Sequence, residues 1–344
     1  MWRFVGFACL TVAIAAVVAV GWIWQDMQQQ LHQPLRLEAT ETLVVEPGTS
    51  LQALAAGLVA RGWLEHPYYL RFHARRTGRG HQIQAGEYAV SPDTTPVQLL
   101  DQLIDGRVVQ HTLTIVEGWS YRQLLSAIQT HERLKQTLSP VLADKPKELM
   151  ATLGLEADHP EGQFFPDTYH FPNGTTDVEF LRRAHRQMQA ILADEWQQRS
   201  ADLPYDNAYE ALIMASIIEK ETGLPAERAD IAGVFVRRLE KGMRLQTDPT
   251  VIYAMGQRYD GNIRRKDLKI DSPYNTYKNR GLPPTPIAMP GQEAIHAGLH
   301  PAAGSALYFV SRGDGSHYFS DTLKEHNRAV AKYQLGRDIK LNKE

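Results

Sequence analysis

Ala215-Ser216-Ile217-Ile218-Glu219-Lys220-Glu221-Thr222-Gly223 closes a helical pattern that begins near Asn207, and it sets carboxylates where an apolar face should continue. Met214, Ile217 and Ile218 share one side of that helix. Glu221 follows Ile218 by three residues and Ile217 by four, so it falls on the same side. Thr222-Gly223, with Pro225 beyond, reads as a helix stop. A carboxylate at the buried edge of a helix end is poorly solvated and lies beside the negative pole of the macrodipole. Both effects favour its protonated form. A carboxylic acid held protonated near neutral pH is what a general acid requires. On periodicity alone, a solvated last turn of charges explains Glu219, Lys220 and Glu221 equally simply, with Glu219 pointing to a different side of the helix.

Working outward, a second helix is expected over Pro225–Lys241, with Ala232, Phe235, Val236 and Leu239 as its apolar stripe. Polar loop chemistry follows. Arg244-Leu245-Gln246-Thr247-Asp248-Pro249-Thr250 leads into a short helix at Val251–Met255. Ser272-Pro273-Tyr274-Asn275-Thr276-Tyr277 and Gly281-Leu282-Pro283-Pro284 come next. Donors, acceptors and tyrosines on segments stiffened by proline suit a preorganised polymer groove. Two strands, Ala306–Val310 and His317–Phe319, and a helix from near Asp321 carrying His326-Asn327 end this region.

Toward the N-terminus, Gly162–Pro172 alternates aromatics with polar residues and prolines, a pattern that fits either an aromatic cleft wall for sugars or core aromatics. Thr176–Arg199 reads as a long amphipathic helix. Leu43–Ser50 and Leu113–Ser120 align without gaps as two strand-turn-helix units, suiting a small binding module whose strands pair. The first unit, with a further strand at Gln84–Val90 and a helix at Thr94–Ile104, resembles the LysM-like fold, which grips N-acetylglucosamine polymers.

Phe4–Trp24 is an uncharged run long enough to cross a hydrocarbon layer of ~30 Å. Arg3 precedes it and Asp26 follows, which places the preceding residues in the cytoplasm and the bulk of the chain outside. Trp22-Ile23-Trp24 is a poor processing region, so the run is read as an uncleaved anchor. Lys+Arg 37 against Asp+Glu 39 leaves a net charge of −2 with no basic block, which argues against a nucleic-acid partner. The single cysteine, Cys9, lies in the apolar run, so disulfide, thiolate and Cys-zinc chemistry are absent from the rest. His296 and His300 are spaced to share a helix face. HExxH is absent, no acidic residue lies between them and Pro301 ends the segment, so no metal site and no cofactor are expected.

The motifs 215–222, 244–253, 274–277 and 281–284, with Phe165-Pro166-Asp167-Thr168, resemble the endolytic murein transglycosylase (YceG-like) family over nearly the whole chain. The resemblance implies an inner-membrane enzyme that cuts peptidoglycan glycan strands internally, with Glu221 in the position of the catalytic glutamate. It also implies that one carboxyl can act as acid and then base. Gln246, Asp248, Asn275 and Tyr277 are expected to line the cleft as substrate contacts, with Glu219 in a supporting role there.

The expected architecture is α+β. A transmembrane helix at 4–24 leads through a juxtamembrane stalk at 25–40 to a LysM-like module at 41–108. A connecting region at 109–204 precedes a catalytic domain at 205–335. Partners are glycan strands and the inner membrane. An enzyme so anchored is placed to dock onto peptidoglycan synthases, though no residue pattern marks that surface. Two rivals stand beside this reading. One is a hydrolase pairing Glu221 with Asp248 or Asp167. The other is a membrane-tethered wall-binding protein in which Glu221 is replaceable.

Overall fold

The computed structural model describes residues 2–335, as two compact units of mixed helix and strand. Within the described residues, the first unit comprises residues 2–111 and 170–174, and the second 112–169 and 175–335.

In the first unit, α1 (Trp2–His32) contains the apolar run. Its segment Leu10–His32 is long and apolar enough to cross a membrane, and Leu10, Val12, Val17, Val20 and Trp22 are exposed, unlike a core helix. The expected stalk at 25–40 takes another form. Helix α1 runs on to His32, with Met27 and Leu31 buried, and Leu35 joins the apolar core that follows. Strand β1 (Glu41–Val45) comes next, then α2 (Leu51–Ala60), α3 (Pro67–Arg76), β2 (Gly86–Val90) and α4 (Pro96–Ile104). β1 and β2 pair antiparallel, from Glu41 opposite Val90 to Val45 opposite Gly86. Leu43 and Val45 face Leu54, Leu58, Leu99 and Leu103 in one core. Ser50 caps α2 by accepting from the Ala53 N–H, and Thr95 forms a capping box with Gln98. Helix α3 escaped the sequence reading because Arg71, Arg75 and Arg76 mask a stripe of only Leu70 and Ala74.

Strand β3 (Gln110–Thr114) and α5 (Tyr121–Gln129) form the second strand-turn-helix copy, with Ser120 in a capping box with Gln123. The two copies do not share a sheet. β1 pairs with β2, while β3 pairs with β4 (Thr168–Pro172), which follows α6 (Pro146–Leu153). A single module of paired copies is therefore corrected. Most of the expected connecting region belongs to the second unit. Of the two alternatives for Gly162–Pro172, the core-aromatic one holds, since Phe164, Phe165, Tyr169 and Phe171 are all buried.

The rest of the second unit packs around α8 (Ala208–Glu221), preceded by α7 (Asp177–Gln197) and followed by α9 (Arg228–Glu240), α10 (Asp248–Met255), α11 (Gln292–Leu299), β5 (Tyr308–Ser311), β6 (His317–Ser320) and α12 (Leu323–Tyr333). Every residue of α8 from Ala211 to Ile218 is buried. α8 is therefore the central helix, and its low amphipathicity follows from having neighbours on all sides. Burying Met214, Ile217 and Ile218 contributes about 1.5–3 kcal/mol each before chain entropy is counted. Ser216, also buried, donates to the Ile213 carbonyl and accepts from the Ile287 N–H, tying the loop before α11 to α8.

Candidate active site

Helix α8 ends at Glu221 with Thr222 as its C-cap, at the stop that Thr222-Gly223 suggested. Thr222 is extended (φ −140°, ψ 137°), so the helix stops by leaving helical geometry, without a left-handed glycine. Its hydroxyl accepts from the Leu224 N–H and fixes the exit. Glu221 is thereby held at the helix's last position, half-buried, on the wall of a cleft of about 510 Å³.

Loss of solvent pushes the Glu221 carboxyl up to about 7, and the negative charge of Asp248 adds to this. Three groups pull the other way: a hydrogen bond from Thr247, and the positive fields of His317 and Arg238. Thr247 Oγ1 donates to Glu221 Oε2 at 2.8 Å. Thr247 is itself anchored, since its N–H donates to Thr276 Oγ1 at 3.1 Å and its carbonyl accepts from Thr250 Oγ1 at 2.7 Å. Three threonines thus hold the loop against the start of α10 and aim one hydroxyl at the Glu221 carboxyl.

Of the expected contacts, Gln246, Asp248 and Tyr277 share the cleft with Glu221. Tyr277 Oη donates to Asp248 Oδ1 at 2.6 Å; burial and that carboxylate push the phenol up, so it stays protonated as a donor. Gln246 is exposed and sits at φ 52°, a left-handed conformation costly for a residue with a Cβ. Such strain at a cleft residue is typical of a position held for function.

Asn275 is a correction. It is fully buried and lies off the cleft. Its Nδ2 donates to the Leu268 and Ile270 carbonyls at 3.1 and 2.8 Å, and its Oδ1 accepts from the Tyr277 N–H at 3.0 Å. It shapes the turn that presents Tyr277. Glu219 is likewise off the cleft, as its Oε2 accepts from the Gly291 N–H at 3.1 Å. Asp167 is outside it too, accepting from Gln187 Nε2 at 2.9 Å, which leaves Asp248 as the carboxylate of the hydrolytic rival.

The sequence reading missed Arg238 and His317. Arg238 is buried in α9, where its guanidinium donates to the Leu307 and Leu245 carbonyls, both at 2.6 Å, and lies over the Tyr308 ring. His317 on β6 is held by Glu227, whose carboxylate meets its Nδ1 at 2.7 Å and accepts its backbone N–H at 2.9 Å. Neither had a local motif. An arginine inside the apolar stripe of α9 was the available signal. His326 also faces the cleft, stacked on Tyr308, and burial with Arg238 nearby lowers its pKa, keeping it neutral.

Away from the cleft, His296 lies in the last turn of α11 and His300 just past the helix's end, at its C-cap, so they do not share a helix face. The two rings nevertheless stack, and Glu195 of α7 completes a cluster with them. The acidic partner that is missing between the two histidines in sequence comes from another helix.

The YceG-like family profile matches residues 43–332. An endolytic murein transglycosylase of Bacillus subtilis is 33% identical over 321 residues, covering 89% of this chain and 88% of the relative. One from Streptococcus pneumoniae D39 is 28% identical over 85% of this chain, which spans only 58% of that longer protein. A crystal structure of a yceG-like protein from Listeria monocytogenes superposes with a TM-score of 0.51 at 31% identity, covering 84% of this chain and 99% of the other. With a match across most of its length, the chain belongs to the YceG-like family.

Proposed function

We propose that this protein is a membrane-anchored lytic transglycosylase that cuts peptidoglycan glycan strands internally, with Glu221 as its acid and base. The observation that carries the reading is the Glu221 carboxyl, pushed up to about 7 on the wall of a polar cleft and held by Thr247. The relatives named as endolytic murein transglycosylases supply the substrate class.

The chemistry needs one carboxyl. Protonated Glu221 donates to the oxygen bridging N-acetylmuramic acid to N-acetylglucosamine, the bond from C1 to that oxygen breaks, and an oxocarbenium-like centre develops. The carboxylate so formed takes the proton from the muramoyl C6 hydroxyl, whose oxygen bonds to C1 and closes a 1,6-anhydro ring. The nucleophile belongs to the substrate, so its high effective concentration replaces an activated water. Arg238 and His317 stabilise the transient Glu221 carboxylate, as their lowering of its pKa indicates. Gln246, Asp248, Tyr277 and neutral His326 hold the sugars through hydroxyl and acetamido groups.

The first unit, LysM-like in this reading, grips the same polymer. α1 anchors the chain in the inner membrane with the bulk of the protein outside the cytoplasm.

Labelled, uncrosslinked glycan strands incubated with the full chain test the reading. Wild type shortens them throughout their length and Glu221→Gln leaves them intact. Binding without shortening, equal in both, would make the protein a tethered wall-binding module.

A further inference from the structure

We infer that Glu195, His296 and His300 form a binding site for a divalent transition cation of the zinc type, separate from the cleft. One ligating atom from each of the three residues lies within 4.8 Å of the others. His296 lies on the outer side of the last turn of α11 and His300 is the residue that caps its C-terminal end, with ring centroids 4.2 Å apart and planes 28° apart. The opposite face of α11, carrying Ala294, Ile295, Ala297 and Leu299, is buried, so the backbone that presents them is rigid.

Glu195 is a buried carboxylate with no lysine or arginine partner among the described residues, and its Oε2 meets His296 Nδ1 at 2.8 Å. Its other oxygen accepts from Gln292 Nε2 at 3.0 Å, and Ser200 Oγ lies 3.5 Å from His300 Nδ1. These outer contacts orient the three groups, as the shell around a metal site does. Two imidazoles and one carboxylate are a donor set that zinc accepts while keeping a position for water. The nearby cation Arg228, which lines the same hollow, is neutralised by Glu293 and Glu117.

Such an ion would clip the C-terminal part of α7 to α11, which packs on α8 and hence on the helix that carries Glu221. Its expected role is to brace the catalytic helix, with no part in the bond-breaking step.

The test is calorimetric titration of zinc chloride into the full, untagged chain in detergent, freed of metal by a chelator. One ion per chain is expected to bind with a dissociation constant of about 10 µM or tighter. His296→Gln and His300→Gln should each weaken it at least about tenfold. Saturating zinc should also raise the wild-type melting temperature and not that of the variants, and the unliganded melting curves show whether the variants are folded. No saturable binding below about 100 µM, or equal affinity in wild type and both variants, would overturn the assignment.

Discussion

Thr247 Oγ1 donates to Glu221 Oε2 at 2.8 Å, so the acid at the end of α8 is aimed by a residue 26 positions further along the chain. Thr247→Val keeps the volume and removes that hydrogen bond. The alkaline limb of the rate profile should move to higher pH, because the bond favours the carboxylate, and kcat should fall about tenfold from loss of aim. A lower kcat with an unmoved pH profile would mean that Thr247 only packs.

In the proposed mechanism Glu221 must be protonated to donate. With its pKa pushed up to about 7, kcat/KM should be level in mildly acidic solution and drop tenfold per pH unit above about 7. The stability consequence has the opposite direction from an ordinary ion-paired carboxylate. Between the unfolded value of 4.5 and about 7 the folded state binds the extra proton, so stability is lost as pH rises through that window. Glu221→Gln should therefore melt higher than wild type at pH 8, by an amount corresponding to at most about 3 kcal/mol, and nearly level with it at pH 4.

Glu161 shows the same physics outside the cleft. It is fully buried, its carboxylate accepts from the Tyr121 N–H at 2.9 Å and from Tyr253 Oη at 3.0 Å, and desolvation pushes it up to about 8. The chain approaches closely beside it. Gly162, at φ 75°, leaves no room for a Cβ against Pro286. Glu161→Ala should cost about 2–4 kcal/mol in urea unfolding at pH 6, by leaving both donors unpaired. Glu161→Gln should cost less, and less still at pH 8.5.

Asn275→Ala separates a turn-shaping role from a sugar contact. Two carbonyls and the Tyr277 N–H lose their partner, so stability should fall by about 2–3 kcal/mol and KM should rise through a displaced Tyr277. A large rise in KM with unchanged stability would restore Asn275 as a direct contact.

The helix α8 and the register of Glu221 with Met214, Ile217 and Ile218 were readable from the sequence, but burial of α8 on all sides was not, since a single apolar side was expected and Ala211 to Ile218 are all buried. Gln246, Asp248 and Tyr277 were readable as a polar, proline-stiffened loop set. Asn275 was misplaced because an amide reads the same whether it bonds a sugar or its own turn; only burial decides. Arg238, His317 and Glu195 stayed hidden for a related reason. Each reaches its neighbours through tertiary packing, from an apolar stripe, a strand or the far helix, and spacing along the chain carries no trace of that.

The central claim is that a single carboxyl cuts the strand without water. The measurement that tests it most directly is mass spectrometry of glycan fragments made by the full chain in oxygen-18 water, wild type beside Glu221→Gln. Wild type should give 1,6-anhydromuramoyl ends with no label from solvent, and the variant should give at least about a thousandfold less product. Reducing ends carrying oxygen-18 would contradict the account and make Asp248 the second carboxylate of a hydrolase.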